Sequence, residues 1–157
     1  MKPNSIPSYY FDFTLESNGG KACFVDLEWI SKKMGLHPSS TRLKGEKNII
    51  LEQTIEAKFT RWSKQSKVYK DWNIDKNFEK FVDKFHKKQK QILQILQTYP
   101  EISAFICYIP TFYDDSFYIC QITPTIAKKL ADMQTCFISD PQMILSKSRI
   151  KEMISEI

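Results

Sequence analysis

Residues that usually hold metals or perform catalysis are scarce in this chain. Only two of its 157 residues are histidines, His37 and His86, and neither has a second ligand at metal-binding spacing. The four cysteines show no CxxC spacing, which favours buried free thiols over a disulfide framework or a zinc site. The sequence has no GxGxxG, HExxH or phosphate-loop motif and no catalytic triad set. We therefore expect no metal site, no cofactor and no enzymatic activity.

Long apolar runs are also missing. No stretch approaches the roughly 20 apolar residues that a membrane-spanning helix needs, and the first ten residues lack the apolar core of a secretory signal. Hydrophobic residues make up 42% of the chain and aromatic residues 13%, which suffices for one ordinary core. These features predict a single folded domain that is cytoplasmic and makes no membrane contact.

The hydrophobic pattern alternates between strand and helix periods. Its order is β-α-β-α-β-β-α-β, which predicts an α+β fold with a mostly antiparallel sheet and helices packed on one face. The domain is expected to span residues 1–145. The predicted strands are 9–16, 49–62, 102–109, 117–122 and 135–139, and the predicted helices are 26–34, 74–99 and a third that starts at 123–124.

Local signals define the ends of these helices. Asp26 and Asp75 are predicted to cap the first two helices, and Gly35 and Pro100 to end them. The polar segment 63–73, which connects the second strand to the second helix, is expected to be mobile.

Residues 146–157 are predicted to form a short amphipathic helix or a tail. Its apolar residues share one face: Ile150, Met153, Ile154 and Ile157. A helix this short is marginal by itself in water. We therefore expect it to dock on the domain or on a second copy of the chain, which would make a homodimer.

Positive charge is concentrated between Lys58 and Lys90. That segment contains 11 Lys and Arg residues and 4 Asp and Glu residues, while the whole chain has a net charge of +5. Cations alternate there with aromatic rings, a mixture that can follow a phosphate backbone while rings stack on bases. A solvated charged surface, with Trp62 and Trp72 anchored in the core, is the alternative. The candidate binding residues of the segment are Arg61, Trp62, Lys64, Lys67, Tyr69, Lys70, Trp72, Lys80, Lys84 and Lys87.

The segment 36–46 joins the first helix to the second strand. Pro38 disfavours helical backbone in the residue before it, and Gly45 permits a tight turn. The segment is either a structural corner or a recognition loop that presents Thr41, Arg42 and Lys44.

Several short motifs resemble those of a known family. They are an aromatic first strand, a long second helix, a final apolar strand, Leu36-His37-Pro38-Ser39, Lys44-Gly45-Glu46 and Trp62-Ser63. By these motifs residues 9–140 resemble a bacterial family of small α+β proteins, the domain-of-unknown-function family 4279. The chain departs from that pattern in its long polar connector after Ser63 and in the residues beyond Asp140.

The resemblance implies a function only by analogy. The family has no agreed activity, and its members are similar in size and genomic character to immunity proteins that neutralise bacterial toxins. The expected function is therefore a non-enzymatic, immunity-type protein that binds and neutralises a partner toxin. The alternative is a nucleic-acid-associated protein that uses segment 58–90, and we expect a protein partner over a nucleic acid.

Overall fold

The computed structural model describes residues 6–17, 25–50, 53–113, 119–140 and 142–144. Its helices are α1 (Leu27–Met34), α2 (Ile74–His86), α3 (Gln89–Thr98) and α4 (Pro124–Asp132). Its strands are β1 (Ser8–Ser17), β2 (Ser40–Arg42), β3 (Lys47–Ile50), β4 (Gln53–Glu56), β5 (Arg61–Gln65), β6 (Tyr69–Lys70), β7 (Ile102–Tyr113), β8 (Thr135–Ser139) and β9 (Gln142–Ile144). The predicted α+β class is confirmed.

The main sheet has the strand order β2-β5-β1-β7-β8. Strand β6 extends the sheet beside β1, and β9 extends it beside β7. The pairings of β1 with β5, β6 and β7, and of β2 with β5, are antiparallel. Both β8 and β9 run parallel to β7, so the sheet is mixed and the antiparallel expectation holds only in part. The parallel pair follows from α4, because a helical crossover returns the chain to the sheet in the same direction.

The helices cover the sheet face that carries the alternate residues Phe11 and Phe13 of β1. Phe13 stacks on Phe85 of α2 with ring centroids 4.2 Å apart, and Phe11 lies 5.2 Å from Phe78. Phe137 of β8 meets the Phe78 ring edge-on at 5.2 Å. Since these side chains are buried or half-buried, the core lies between the sheet and the helices.

The predicted strand 49–62 is wrong as one element. Strands β3 and β4 form a separate two-stranded antiparallel sheet, and only β5 joins the main sheet. Backbone hydrogen bonds from Gly45 N–H to Ala57 and from Ala57 N–H to Glu46 close the base of this hairpin, each at 2.8 Å. Residues 47–62 contain neither glycine nor proline, so the alternating pattern alone does not reveal where the chain turns back.

The connector 63–73 is ordered, which corrects the expectation of mobility. It contains the end of β5 and the whole of β6. The Tyr9 hydroxyl donates to Asp71 Oδ1 at 2.8 Å, and the Asn77 amide donates to the Tyr9 oxygen at 2.8 Å. The hydrogen bond from Tyr9 lowers the pKa of Asp71. Hydrogen bonds between polar side chains thus connect this segment to the core, and a hydrophobicity pattern cannot predict such bonds.

The predicted helix 74–99 is two helices with a break at Lys87–Lys88. The Lys88 N–H donates to the Phe85 carbonyl, three residues earlier, at 2.8 Å. In an α-helix the acceptor is four residues earlier, so this bond marks the end of α2. The Ile92 N–H bonds to the Lys88 carbonyl at 3.0 Å and begins α3. Residues 74–99 contain no glycine or proline, so no local signal indicates the break.

The predicted caps are confirmed in part. Asp26 accepts a hydrogen bond from the Trp29 N–H at 2.8 Å, and Gly35 ends α1 with φ at 58°. Thr123 likewise accepts from the Ile126 N–H at the start of α4. Asp75 is not a cap, because Asn73 precedes α2 and the Asp75 carboxylate accepts instead from the Gln121 N–H at 2.9 Å.

The predicted strand 117–122 is also wrong for the four of its residues that the structure describes. Residues 119–122 are irregular and lead directly into α4, whereas residues 117–118 lie outside the described part of the chain. The predicted helix within 146–157, and with it the proposed homodimer contact, lies outside the described residues as well.

Truncating a core ring should destabilise the fold strongly. Phe85 is fully buried against Phe13 and Phe81, so Phe85→Ala should lower the free energy of unfolding by about 3–5 kcal/mol in denaturant titrations. Phe59→Ala is the matched control, since Phe59 is 41% exposed, and its loss should stay below about 1 kcal/mol. Equal losses for the two variants would contradict this arrangement of the core.

Candidate binding surfaces

Trp62 does not reach the protein surface. It lies opposite Leu15 in the β1–β5 register, on the sheet face that the helices cover, and it is completely buried. Its indole N–H donates to the Ser31 hydroxyl at 2.9 Å, and its ring meets Phe13 edge-on. The ring is therefore part of the core and not part of a base-stacking surface.

The other two aromatic rings of segment 61–72, Tyr69 and Trp72, have different surroundings from Trp62. Tyr69 is half-buried and stacks on Tyr9 with centroids 5.3 Å apart, and the ammonium group of Lys67 lies 5.3 Å from the Tyr69 centroid. Trp72 is 54% exposed. Because two of the three rings pack on the core, segment 61–72 does not present an alternating series of exposed rings and cations.

The cations beside these rings are also dispersed. Arg61 forms an ion pair with Glu16 of β1, its neighbour in the sheet register. Lys64 follows Arg61 by three residues in the same strand and so points to the opposite face of the sheet, where it is half-buried. Lys70 is exposed beside Ser8 in the separate strand β6. The sequence-predicted residues 61–72 therefore do not converge on one site.

Four lysines do converge where α2 meets α3, at what we call the lysine concavity. It has a volume of about 510 Å³ and is lined by Lys80, Asp83, Lys84, Lys87, Lys88 and Gln91. Lys80, Lys84 and Lys87 are among the sequence-predicted binding residues. Lys88 is not, although it is four residues from Lys84, the spacing of neighbours on one face of a helix.

Thr41, Arg42 and Lys44 are all exposed at β2 and the turn that follows it. The Lys44 N–H donates to the Thr60 hydroxyl at 3.0 Å, and Gly45 has a φ of 87°, so the turn is fixed by the backbone. Thr41 borders a shallow groove of about 400 Å³. The three candidate residues are thus exposed on a turn whose backbone conformation is well defined.

Residues 43–59, which we call the hairpin arm, expose several large apolar side chains. Their exposed fractions are Leu43 50%, Ile49 79%, Ile55 45% and Phe59 41%. In the strand predicted for 49–62, the alternating pattern puts Ile49, Ile55 and Phe59 on the same side. Periodicity shows which residues share a side of a strand, but whether anything covers that side depends on the tertiary structure.

Asp12 is the least expected group on the opposite face of the sheet. It is only 7% exposed, and within the described part of the chain its Oδ1 atom has no hydrogen-bond partner. Burial raises the pKa of this carboxyl to about 6, although Gln65, Arg61 and Ser63 favour the charged form. Strand periodicity places Asp12 on the face opposite Phe11 and Phe13, but it does not show that Asp12 is buried.

Two cysteine thiols are unsuited to nucleophilic chemistry at neutral pH. Burial, with the nearby Asp12 carboxyl, raises the pKa of Cys107 to about 11. Burial likewise raises the pKa of Cys120 to about 12. A thiol that keeps its proton is a weak nucleophile and a poor metal ligand.

The described residues hold neither a candidate metal cluster nor a membrane-spanning helix. No group of three or more His, Cys, Asp or Glu side chains there is placed to hold a metal ion. None of the described helices has the length and apolar character to cross a membrane.

Comparisons of the chain with protein-family models, with curated proteins and with solved structures found no match. The resemblance to family 4279 therefore stays a prediction, and the surfaces described above carry the functional argument.

Asp12 should make stability depend on pH. Its pKa is about 6 in the folded state against an ordinary value of 3.8, so the folded state binds more protons than the unfolded state between those values. The stabilising contribution of protonated Asp12 is thus lost as pH rises from about 4 to 6. Asp12→Asn should raise the free energy of unfolding at pH 7 by roughly 1–3 kcal/mol and have little effect near pH 4. Denaturant titrations at both pH values measure this, and a variant effect of equal size at both would contradict it.

Proposed function

We propose that this protein is a non-enzymatic, immunity-type binding protein that inserts its hairpin arm into a cleft of a partner protein and thereby neutralises it. The observation that carries this proposal is the exposure of large aliphatic side chains on both faces of the arm.

The register of the hairpin places the two isoleucines on opposite faces. Ile49 lies opposite Thr54, and residues directly opposite in a strand pair share a face. Ile55 follows Thr54 and so points the other way. Their exposed fractions are 79% and 45%. A flat docking surface would cover only one of them.

A cleft in a partner would cover both faces at once. Complete burial of one isoleucine contributes about 1.5–3 kcal/mol, so two such side chains are a substantial anchor for a protein complex. Strands β3 and β4 pair only with each other among the described strands, so the arm can enter a cleft without disturbing the main sheet. Insertion of this kind blocks the partner's cleft, which is a direct means of inhibition.

The corner at the base of the arm supplies polar contacts for the rim of the complex. Arg42 and Lys44 are exposed there, and Lys47 and Lys58 flank the apolar side chains. Polar rims around an apolar anchor are typical of protein interfaces. Glu46 and Glu56 are also exposed on the arm, and Glu56 lies opposite Lys47 in the hairpin register, so the rim offers charges of both signs to a partner.

Substitutions in the arm test the proposal. The protein is co-expressed with the product of each neighbouring reading frame, and growth protection, co-purification and dissociation constants are measured. Ile49→Ser with Ile55→Ser should abolish protection and weaken binding by at least about 30-fold, as expected for the loss of central apolar anchors.

The matched control removes exposed aliphatic side chains elsewhere. Val68 and Ile119 are 58% and 79% exposed and lie outside the arm, so Val68→Ser with Ile119→Ser should leave binding unchanged. Binding that resists the arm substitutions, or the absence of any binding and protection by neighbouring products, would overturn the proposal.

A further inference from the structure

The lysine concavity is a second surface, and it shares no residue with the hairpin arm. Lys80, Lys84 and Lys87 reach it from α2, and Lys88 and Gln91 from the start of α3. Together these residues surround a volume of about 510 Å³ at the junction of the two helices.

Its lysines repel one another in the free protein. Lys84 is four residues from Lys80 and from Lys88 and three from Lys87, spacings that bring like charges together along a helix. None of the four ammonium groups has a carboxylate within 4.0 Å in the described part of the chain. The arrangement therefore disfavours the free protein slightly and favours binding of an anion.

The one acidic residue of the lining does not relieve this repulsion. The Asp83 carboxylate accepts a hydrogen bond from the ammonium group of Lys129, on α4, at 2.5 Å. Glu79 lies 3.9 Å from the same ammonium group. Lys129 offsets only one of these two carboxylates, so the four lysines of the lining, Lys129, Asp83 and Glu79 together leave an excess of about three positive charges.

We propose that the lysine concavity binds a compact ligand that carries two or more linked phosphate groups. Lysine ammonium groups act as point charges with several rotatable donors, so four of them can approach a cluster of phosphate oxygens from several directions. The site has a volume of about 510 Å³ and is open to solvent, so the lysine charges, and not enclosure, would hold a small ligand.

The lining favours a compact ligand over a nucleic-acid strand. It contains no aromatic residue, and single-strand binding relies on rings that stack on bases. Trp62 and Tyr69 are committed to the core, as described above.

Inorganic tripolyphosphate is the probe for this site, with orthophosphate as the comparison. Calorimetric titration of the full chain at low salt should show one site for tripolyphosphate, with at least about tenfold weaker binding of orthophosphate because fewer charges are neutralised. Lys80→Gln with Lys84→Gln should reduce the tripolyphosphate affinity at least about tenfold.

The control is a pair with the same change in charge. Lys76 and Lys90 are exposed on α2 and α3 but do not line the concavity, so Lys76→Gln with Lys90→Gln should change the affinity less than about threefold. The four substituted side chains, those of Lys76, Lys80, Lys84 and Lys90, are all exposed. Thermal melts should therefore show that both double variants fold as the wild type does.

Three results would overturn the proposal. The first is no tripolyphosphate binding at low salt, and the second is an equal loss of affinity in the two double variants. The third is a single-stranded oligonucleotide that binds more tightly than tripolyphosphate and is weakened equally by both pairs, which would make the lysines part of a general nucleic-acid surface.

Discussion

The antiparallel pairing of β1 with β7 is the interaction on which the other elements depend. Ten consecutive residues, Ser8 to Ser17, pair with β7. The other edge of β1 pairs with β5 and β6, so the strand has neighbours on both sides. One face of β1 carries the rings that α2 covers, and the opposite face carries Asp12. The core and the Asp12 carboxyl therefore lie on opposite sides of the same strand.

The sequence predicted those helices and strands whose periodicity and end signals lie within or next to the element itself. Strand β1 alternates apolar and polar residues, α1 has an N-cap at Asp26 and a left-handed Gly35, and α4 begins with Thr123-Pro124. Strand β8 also lies where the sequence placed it. The division of 49–62 into strands and of 74–99 into two helices escaped prediction because neither stretch contains a glycine or a proline at the change of direction. The parallel addition of β8 and β9 depends on contacts far apart in the chain.

The candidate surfaces were predictable in charge but not in shape. The excess of lysines in 58–90 is a property of the sequence, whereas the concavity that four of them line is a property of the folded structure. Trp62 and Trp72 look equivalent in the sequence, yet the register of β5 with β1 buries the first and leaves the second 54% exposed. The exposed faces of Ile49 and Ile55 likewise depend on what the rest of the fold leaves uncovered.

The distance along the chain between β1 and β7 also governs how the protein emerges from the ribosome. Roughly a hundred residues separate Ser8 from its partner Thr111. At about 5–20 residues per second, β1 waits on the order of 5–20 s for the strand that completes its longer edge. During that time its aromatic face is shielded only after α2 has been made. We expect the nascent chain to expose this face until its second half is synthesised, because the first strand lies at the centre of the sheet and pairs with a strand from that second half.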